Sequence, residues 1–219
     1  MRLTATMFQT LDGVVQGPGG PDEDRSGGFD RGGWLAPYAD EGMNEVVTAV
    51  FGRAAGFLLG RRTYDIFAAY WPGAPREVDG APDVVAQRLA DLPKHVVSTS
   101  LTDPAWAGTE VVGRDGEDVR SAVERLKEAP PSSVGDELQV HGSPTLVTWL
   151  VAQGLLDELR LLTFPVVVGR GERLFPTGSA SAAFTLGDVR RTGSGIVVTT
   201  YRPAGRPVYR AVDDPPATP

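Results

Sequence analysis

The chain contains no cysteine, which excludes disulfide frameworks and thiolate metal sites and matches a reducing compartment. Its histidines, His95 and His141, are far apart in sequence and form no conventional zinc pattern. Long apolar runs are also missing: the longest candidate, Val46 to Leu59, is broken by Arg53 and falls short of a bilayer span. The opening Met1-Arg2-Leu3-Thr4-Ala5-Thr6 lacks the apolar stretch of a secretory signal. These absences together predict a cytoplasmic protein. Positive charge is in deficit as well. A net charge of −7 argues against general nucleic-acid binding and against an anionic membrane surface, both of which need basic patches. No nucleophile elbow, Walker A loop or internal repeat is present, so the familiar hydrolase signatures are excluded.

What is present is an alternation of strand-like and helix-like segments. Strands are predicted at Leu3–Leu11, Phe57–Leu59, His95–Thr99, Glu110–Val112, Glu137–His141 and Leu159–Phe164. Helices are predicted at Asn44–Ala55, Thr63–Tyr70, Pro82–Leu92, Glu117–Glu128 and Pro144–Gln153. Ala183–Arg191 and Gly195–Tyr201 suggest a closing hairpin. This pattern implies an α/β fold with a largely parallel sheet, helices on both faces and an antiparallel C-terminal edge. One domain is expected over residues 1–202, followed by a Pro-rich tail at 203–219. Gly13 to Gly33 is a long glycine-rich, acidic loop, of the length associated with functional lids or disorder.

In such sheets ligands bind beyond the carboxyl ends of the strands. Three turns fall there: Gly60-Arg61-Arg62-Thr63, Ser98-Thr99-Ser100 and His141-Gly142-Ser143-Pro144-Thr145. A strand that empties through glycine into a helix start suits a phosphate, because free N–H groups and the helix dipole favour an anion. Two adjacent guanidiniums add donors matched to phosphate oxygens. In an acidic chain that local concentration of positive charge stands out.

The run Thr10-Leu11-Asp12-Gly13, then Leu59-Gly60-Arg61-Arg62-Thr63-Tyr64, then Val97-Ser98-Thr99-Ser100 resembles the dihydrofolate reductase-like superfamily. Val140-His141-Gly142-Ser143-Pro144-Thr145-Leu146, Gly154-Leu155-Leu156-Asp157-Glu158-Leu159 and Pro165 to Phe175 narrow the likeness to stand-alone bacterial relatives of the riboflavin-biosynthesis reductase (RibD C-terminal) domain. The resemblance covers about Met1 to Arg202 and implies a three-layer dihydrofolate-reductase-like fold, a homodimer, NADPH as cofactor and hydride transfer to a small heterocyclic or sugar-derived substrate. It implies that Gly60, Arg61, Arg62 and Thr63 hold phosphates, with an arginine on the 2′-phosphate, and that Ser98, Thr99 and Ser100 line the adenosine end. Gly142, Ser143, Pro144 and Thr145 would meet the pyrophosphate, and backbone at Ala5 and Thr6 the nicotinamide. Alternatives are a dihydrofolate or pteridine reductase, against which the long region Trp71 to Lys94 argues, and a non-catalytic NADPH-binding dimeric module. These residues carry no deaminase-type His/Cys zinc ligands, so the bifunctional riboflavin enzyme is not expected.

Asp12 is the candidate for substrate contact or proton delivery, against the plainer reading of a turn-forming Asp-Gly pair. Asp12, Trp34, Tyr64 and Phe67 are expected around a substrate pocket, with Tyr38 and Trp71 completing an aromatic set that core packing explains equally well. Asp40 and Glu41 follow Trp34-Leu35-Ala36-Pro37-Tyr38, an echo of the segment that carries the catalytic acid in folate reductases; charges at a helix start are the better reading. Gly169-Arg170-Gly171 reads as turn geometry, because a third glycine at dinucleotide spacing is missing.

Overall fold

A computed structural model describes residues 1–131 and 133–212. In chain order the elements are β1 (Arg2–Thr10), α1 (Glu41–Gly52), β2 (Ala54–Gly60), α2 (Arg61–Tyr70), β3 (Glu77–Val78), β4 (Ala81–Pro82), α3 (Val84–Asp91), β5 (Lys94–Val97) and β6 (Thr109–Val112). They continue with α4 (Val119–Glu128), β7 (Glu137–His141), α5 (Pro144–Ala152), β8 (Glu158–Phe164), β9 (Phe184–Arg191) and β10 (Val197–Pro203). The main sheet runs β6-β5-β2-β7-β1-β8-β10-β9. The strands from β6 to β8 are parallel; β10 is antiparallel to β8 and pairs with β9 at the edge. This is the expected parallel sheet with an antiparallel C-terminal hairpin. Of the tail expected from residue 203, positions 213–219 lie outside the described residues.

Local chemistry sets most boundaries. Three helices begin at an aspartate whose carboxylate accepts an N–H of the first turn: Asp40 from Met43 at 2.8 Å, Asp83 from Ala86 at 3.0 Å and Asp118 from Ser121 at 3.0 Å. The Asp40 cap starts α1 at Glu41, ahead of the predicted Asn44. At the other end, Ala54 and Ala55 leave the helix expected for them and open β2, where Ala54 pairs with Glu137. Sheet pairing overrides the weak helical preference of alanine. β3 and β4 form a small hairpin inside the Pro-rich connection, so α3 starts after Asp83 and not at Pro82.

The central strands are buried on both faces, which is why they read as continuous apolar runs. Leu3, Ala5, Met7, Leu58, Leu138, Val140 and Leu159 pack under Val123 of α4 and Val147 and Leu150 of α5. The opposite face places Phe57, Leu59 and Val96 against Phe51 of α1, Tyr64 of α2 and Leu89 of α3. Beside it, Val14, Phe29, Trp34 and Met43 cover Leu162, Phe164 and Val198.

This second face also carries a buried polar row along β7: Glu137, Gln139 and His141. Glu137, at the start of the strand and with no exposed side-chain surface, accepts from Arg2 at 2.8 Å, Arg53 at 2.9 Å, Arg160 at 2.9 Å, Thr4 at 3.2 Å and Gln139 at 2.8 Å. Burial opposes its ionisation, but the Arg160 and Arg53 bonds win and hold its carboxyl at about 2. Among the described residues, no helix is long and apolar enough to cross a membrane.

Candidate functional site

Because β5, β2 and β7 are neighbours in the sheet, the three turns singled out by sequence emerge side by side at one edge. Two of them are bonded to each other. The Gly60 N–H donates to Ser143 Oγ at 2.8 Å, and that hydroxyl donates to Thr63 Oγ1 at 2.7 Å. With Ser143 using its own proton there, the Thr63 hydroxyl keeps one to give. Contact is close enough that a methyl group at position 60 would lie 2.9 Å from Ser143 Oγ and 3.1 Å from its Cβ. Gly142 (φ 68°) and Ser143 (φ 58°) are both left-handed, a reversal that aims the start of α5 back toward Gly60. The third turn is nearby but turned in on itself: Ser98 Oγ accepts from the N–H groups of Ser100 (3.2 Å) and Leu101 (3.1 Å), leaving Thr99 and Ser100 exposed.

The charge pattern of the helix starts separates these two turns from the rest. α1, α3 and α4 carry aspartate caps, whereas α2 and α5, entered through Gly60 and Ser143, have no side-chain cap and no acid in the first turn. Their orphan amides remain available to an anion. Arg61 and Arg62 sit at the positive end of α2, where a cation is disfavoured by roughly 0.3–1 kcal/mol. Both are paired: Arg61 Nε lies 2.9 Å from both oxygens of Asp65, and Arg62 Nη1 lies 2.6 Å from Glu172 and 3.8 Å from Asp24. Donor set, dipole and side-chain charge fit a phosphate, and through it a nucleotide cofactor.

Other predicted site residues fall elsewhere. Ala5 is fully buried in the α4/α5 core with its backbone paired to both β7 and β8, so it cannot face a ligand. Thr6, 6 % exposed, forms the last rung of the β1–β7 ladder with His141. Beyond that rung β1 continues through Met7, Phe8 and Gln9 with β8 as its sheet partner, and this stretch borders the Gly142 turn. Sequence periodicity marked β1 but not where β7 stops; that end point decides which residues are free.

The aromatic residues are structural. Trp34 is buried, donates its indole N–H to the Gln16 carbonyl at 2.9 Å and packs edge-on to Phe164. Tyr64 is buried beside Trp106, whose N–H it accepts at 3.2 Å. Phe67 packs edge-on against Trp71 in the same cluster, and Tyr38 packs edge-on to Phe164. Trp34 and Tyr64 of the expected pocket wall are therefore core, while Phe67, Trp71 and Tyr38 are half-buried at its margin.

Asp12 has a different task from proton delivery. Its carboxylate accepts from Thr10 Oγ1 at 2.6 Å, Gly169 N at 2.9 Å and Val168 N at 3.2 Å, which joins the β1 exit to the loop after β8. The Thr10 bond, with the two amides, holds its carboxyl below the usual range against partial burial. It stays ionised and has no proton to give near neutrality. Asp40 is the α1 cap and also accepts from Ser194 N at 2.7 Å; these amide bonds lower its carboxyl to about 2. The helix-start reading of that residue holds.

His141 is more than the isolated histidine of the sequence. It closes β7 and stacks on Phe51 with centroids 4.2 Å apart. Gln139 Nε2 donates to Val50 O at 2.7 Å and Glu137 Oε2 at 2.8 Å, which leaves its Oε1 to accept from His141 Nε2 at 3.0 Å. That assigns the ring proton to Nε2. Burial, helped by the Arg160 charge, drives its pKa down to about 3, so the ring is neutral. A cavity of about 540 Å3 lies beside α2, lined by Gln16, Ser26, Phe29, Arg62, Arg170 and Glu172. Sequence assigns Gln16 no role and reads Arg170 only as part of a turn; Arg170 and Glu172 meet partners over a hundred residues away, with no local signal.

The class defined by this sheet and its helices is that of the dihydrofolate reductase-like fold. The chain belongs to the RibD C-terminal domain family, which matches residues 2–198. It is similar to the uncharacterized protein YyaP of Bacillus subtilis (strain 168), 24 % identical over 91 % of this chain and 94 % of that one. In structure it resembles a putative riboflavin biosynthesis protein from Shewanella sp. PV-4 (TM-score 0.63, 20 % identity, 93 % of this chain and 99 % of the other). It also resembles the Thermotoga maritima diaminohydroxyphosphoribosylaminopyrimidine deaminase/5-amino-6-(5-phosphoribosylamino)uracil reductase, with TM-score 0.59 and 13 % identity over 93 % of this chain and 56 % of that protein.

Proposed function

We propose that the protein is an NADPH-dependent reductase acting on a small heterocyclic or sugar-derived substrate. The observation that carries this is the pair of uncapped helix starts locked together by Ser143, with Arg61 and Arg62 beside them. Family membership supports the reductase class. Gly60 to Thr63 and Gly142 to Thr145 would hold the phosphates through amides and the Thr63 hydroxyl. An arginine would take the 2′-phosphate, and Thr99 and Ser100 would line the adenosine end. The nicotinamide side would lie along Met7 to Gln9, past the Thr6–His141 rung. The cofactor, when bound, supplies the hydride; the protein's part is to position the ring and exclude water.

A dihydrofolate or pteridine substrate is less favoured, because the region after Trp71 is occupied by the β3–β4 hairpin and α3. The second reading is a non-catalytic NADPH-binding module. A homodimer through β9 and β10 would cover Leu186 and Val189, which are 52 % and 53 % exposed. The test is calorimetric titration with NADPH followed by absorbance-monitored oxidation across pterin, pyrimidine and quinone acceptors. Turnover with any acceptor supports the reductase; tight binding with no turnover favours the module; no binding overturns both. A monomeric mass by light scattering at working concentration overturns the dimer.

A further inference from the structure

The loop expected to be a lid or disordered is ordered from Asp22 to Arg31, yet it is held almost wholly by polar ties. Gln16 Nε2 donates to Ser26 O at 3.0 Å and Ser26 Oγ at 3.1 Å. Arg170 donates to Gly28 O at 2.9 Å and lies 3.6 Å from Asp30, and Arg31 donates to Val168 O. Phe29 is the one buried apolar side chain of the segment. Where the strap meets α2, the tie is Arg62, poised between Asp24 and Glu172. Asp24 accepts from the N–H of Ser26 at 2.9 Å, and Glu172 is fixed by its backbone, whose N–H donates to Gln16 Oε1 at 3.1 Å and whose carbonyl accepts from Val15 N–H at 2.9 Å.

One guanidinium thus has two claimants. It sits in the first turn of α2, within the proposed phosphate site, and its charge is already spent on two carboxylates. A phosphate at the helix start brings more charge than either carboxylate and also collects the free amides. Arg62 and Glu172 side chains are 54 % and 44 % exposed, so their pair is of the weak, exchangeable kind.

We propose that Glu172 sets the affinity of this site: together with Asp24 it competes with the ligand phosphate for Arg62, and ligand binding frees the near half of the strap, residues 22–26, from α2. The proposal rests on the phosphate reading of Gly60 to Thr63. Gln16 still holds Ser26, and Arg170 and Arg31 hold the far half of the strap, so the release is of Asp24 and its immediate neighbours from α2. Glu172→Gln removes the competing charge and keeps the shape. NADPH should then bind about two- to fivefold tighter, while amide exchange in residues 22–26 of the ligand-free protein should not rise, because Arg62 keeps Asp24. Arg62→Ala should weaken NADPH binding, raise the same exchange, and abolish the effect of adding Glu172→Gln. In the wild type, NADPH and inorganic pyrophosphate should each raise exchange at 22–26.

Titration calorimetry and hydrogen-exchange mass spectrometry on the full chain decide it. Wild-type binding with Glu172→Gln no tighter, or unchanged exchange at 22–26 in Arg62→Ala, overturns the proposal and leaves the phosphate site standing. Failure of the wild type and every variant to bind NADPH or pyrophosphate overturns the phosphate reading itself, and the proposal with it.

Discussion

Ser143 Oγ lies 2.8 Å from the amide of Gly60, so two turns separated by more than eighty residues of chain share one hydroxyl. A methyl at position 60 has nowhere to go against that serine. Gly60→Ala should destabilise the protein by about 1–3 kcal/mol. Adding Ser143→Gly, which removes both close atoms and tolerates the left-handed backbone, should recover part of the loss. Urea melts of the single and double variants measure this; strict additivity would show that the two residues do not interact.

Arg61 and Arg62 differ in what they release. Replacing either with Ala should raise the apparent dissociation constant for NADPH more than that for NADH, since NADH lacks the 2′-phosphate. Equal losses for the two cofactors would sink the 2′-phosphate assignment.

Glu137 and His141 both make stability rise with pH. The Glu137 carboxyl ionises at about 2 when folded, against an ordinary 4.5, so its contribution is complete above pH 4.5 and is lost as pH falls toward 2. His141 is held neutral down to about 3 against an ordinary 6.5; the unfolded chain takes up that proton first, and stability erodes from pH 6.5 downward. Urea midpoints should hold nearly level from pH 8 to about 7 and fall from pH 6.5 to pH 3, and His141→Phe should flatten the slope between pH 6.5 and 4.5. Glu137→Ala takes from the buried Arg160 one of its two carboxylates, leaving Glu158, and should lower the urea midpoint at neutral pH.

Asp12 should behave as a staple. Asp12→Asn should lower stability and leave the position of any pH-rate limb unchanged, because the wild-type carboxylate has no proton to exchange near neutrality. A limb that disappears in this variant would restore Asp12 as the proton donor.

The fold was legible because its signals are local. Strand and helix alternation and the strand-end glycines are readable within a few residues of chain. The three strand-end turns were legible for the same reason. Pairings across the chain were not. Nothing near Arg62 announces Glu172, nothing near Asp12 announces Gly169, and nothing in β1 says that its ladder with β7 ends at Thr6. Tyr64 and Trp34 show the converse: an aromatic beside a motif looks like pocket lining until a buried partner such as Trp106 or Gln16 is found for it.

β7 is anchored at both extremities on one face, by three guanidiniums on Glu137 and by the stacked, hydrogen-bonded imidazole of His141. The Gly142–Ser143 turn therefore rides on a strand that cannot slide or tilt independently of the sheet. A change at Arg53 or Arg160 would shift the height at which Ser143 meets Gly60 without altering any residue of the turn.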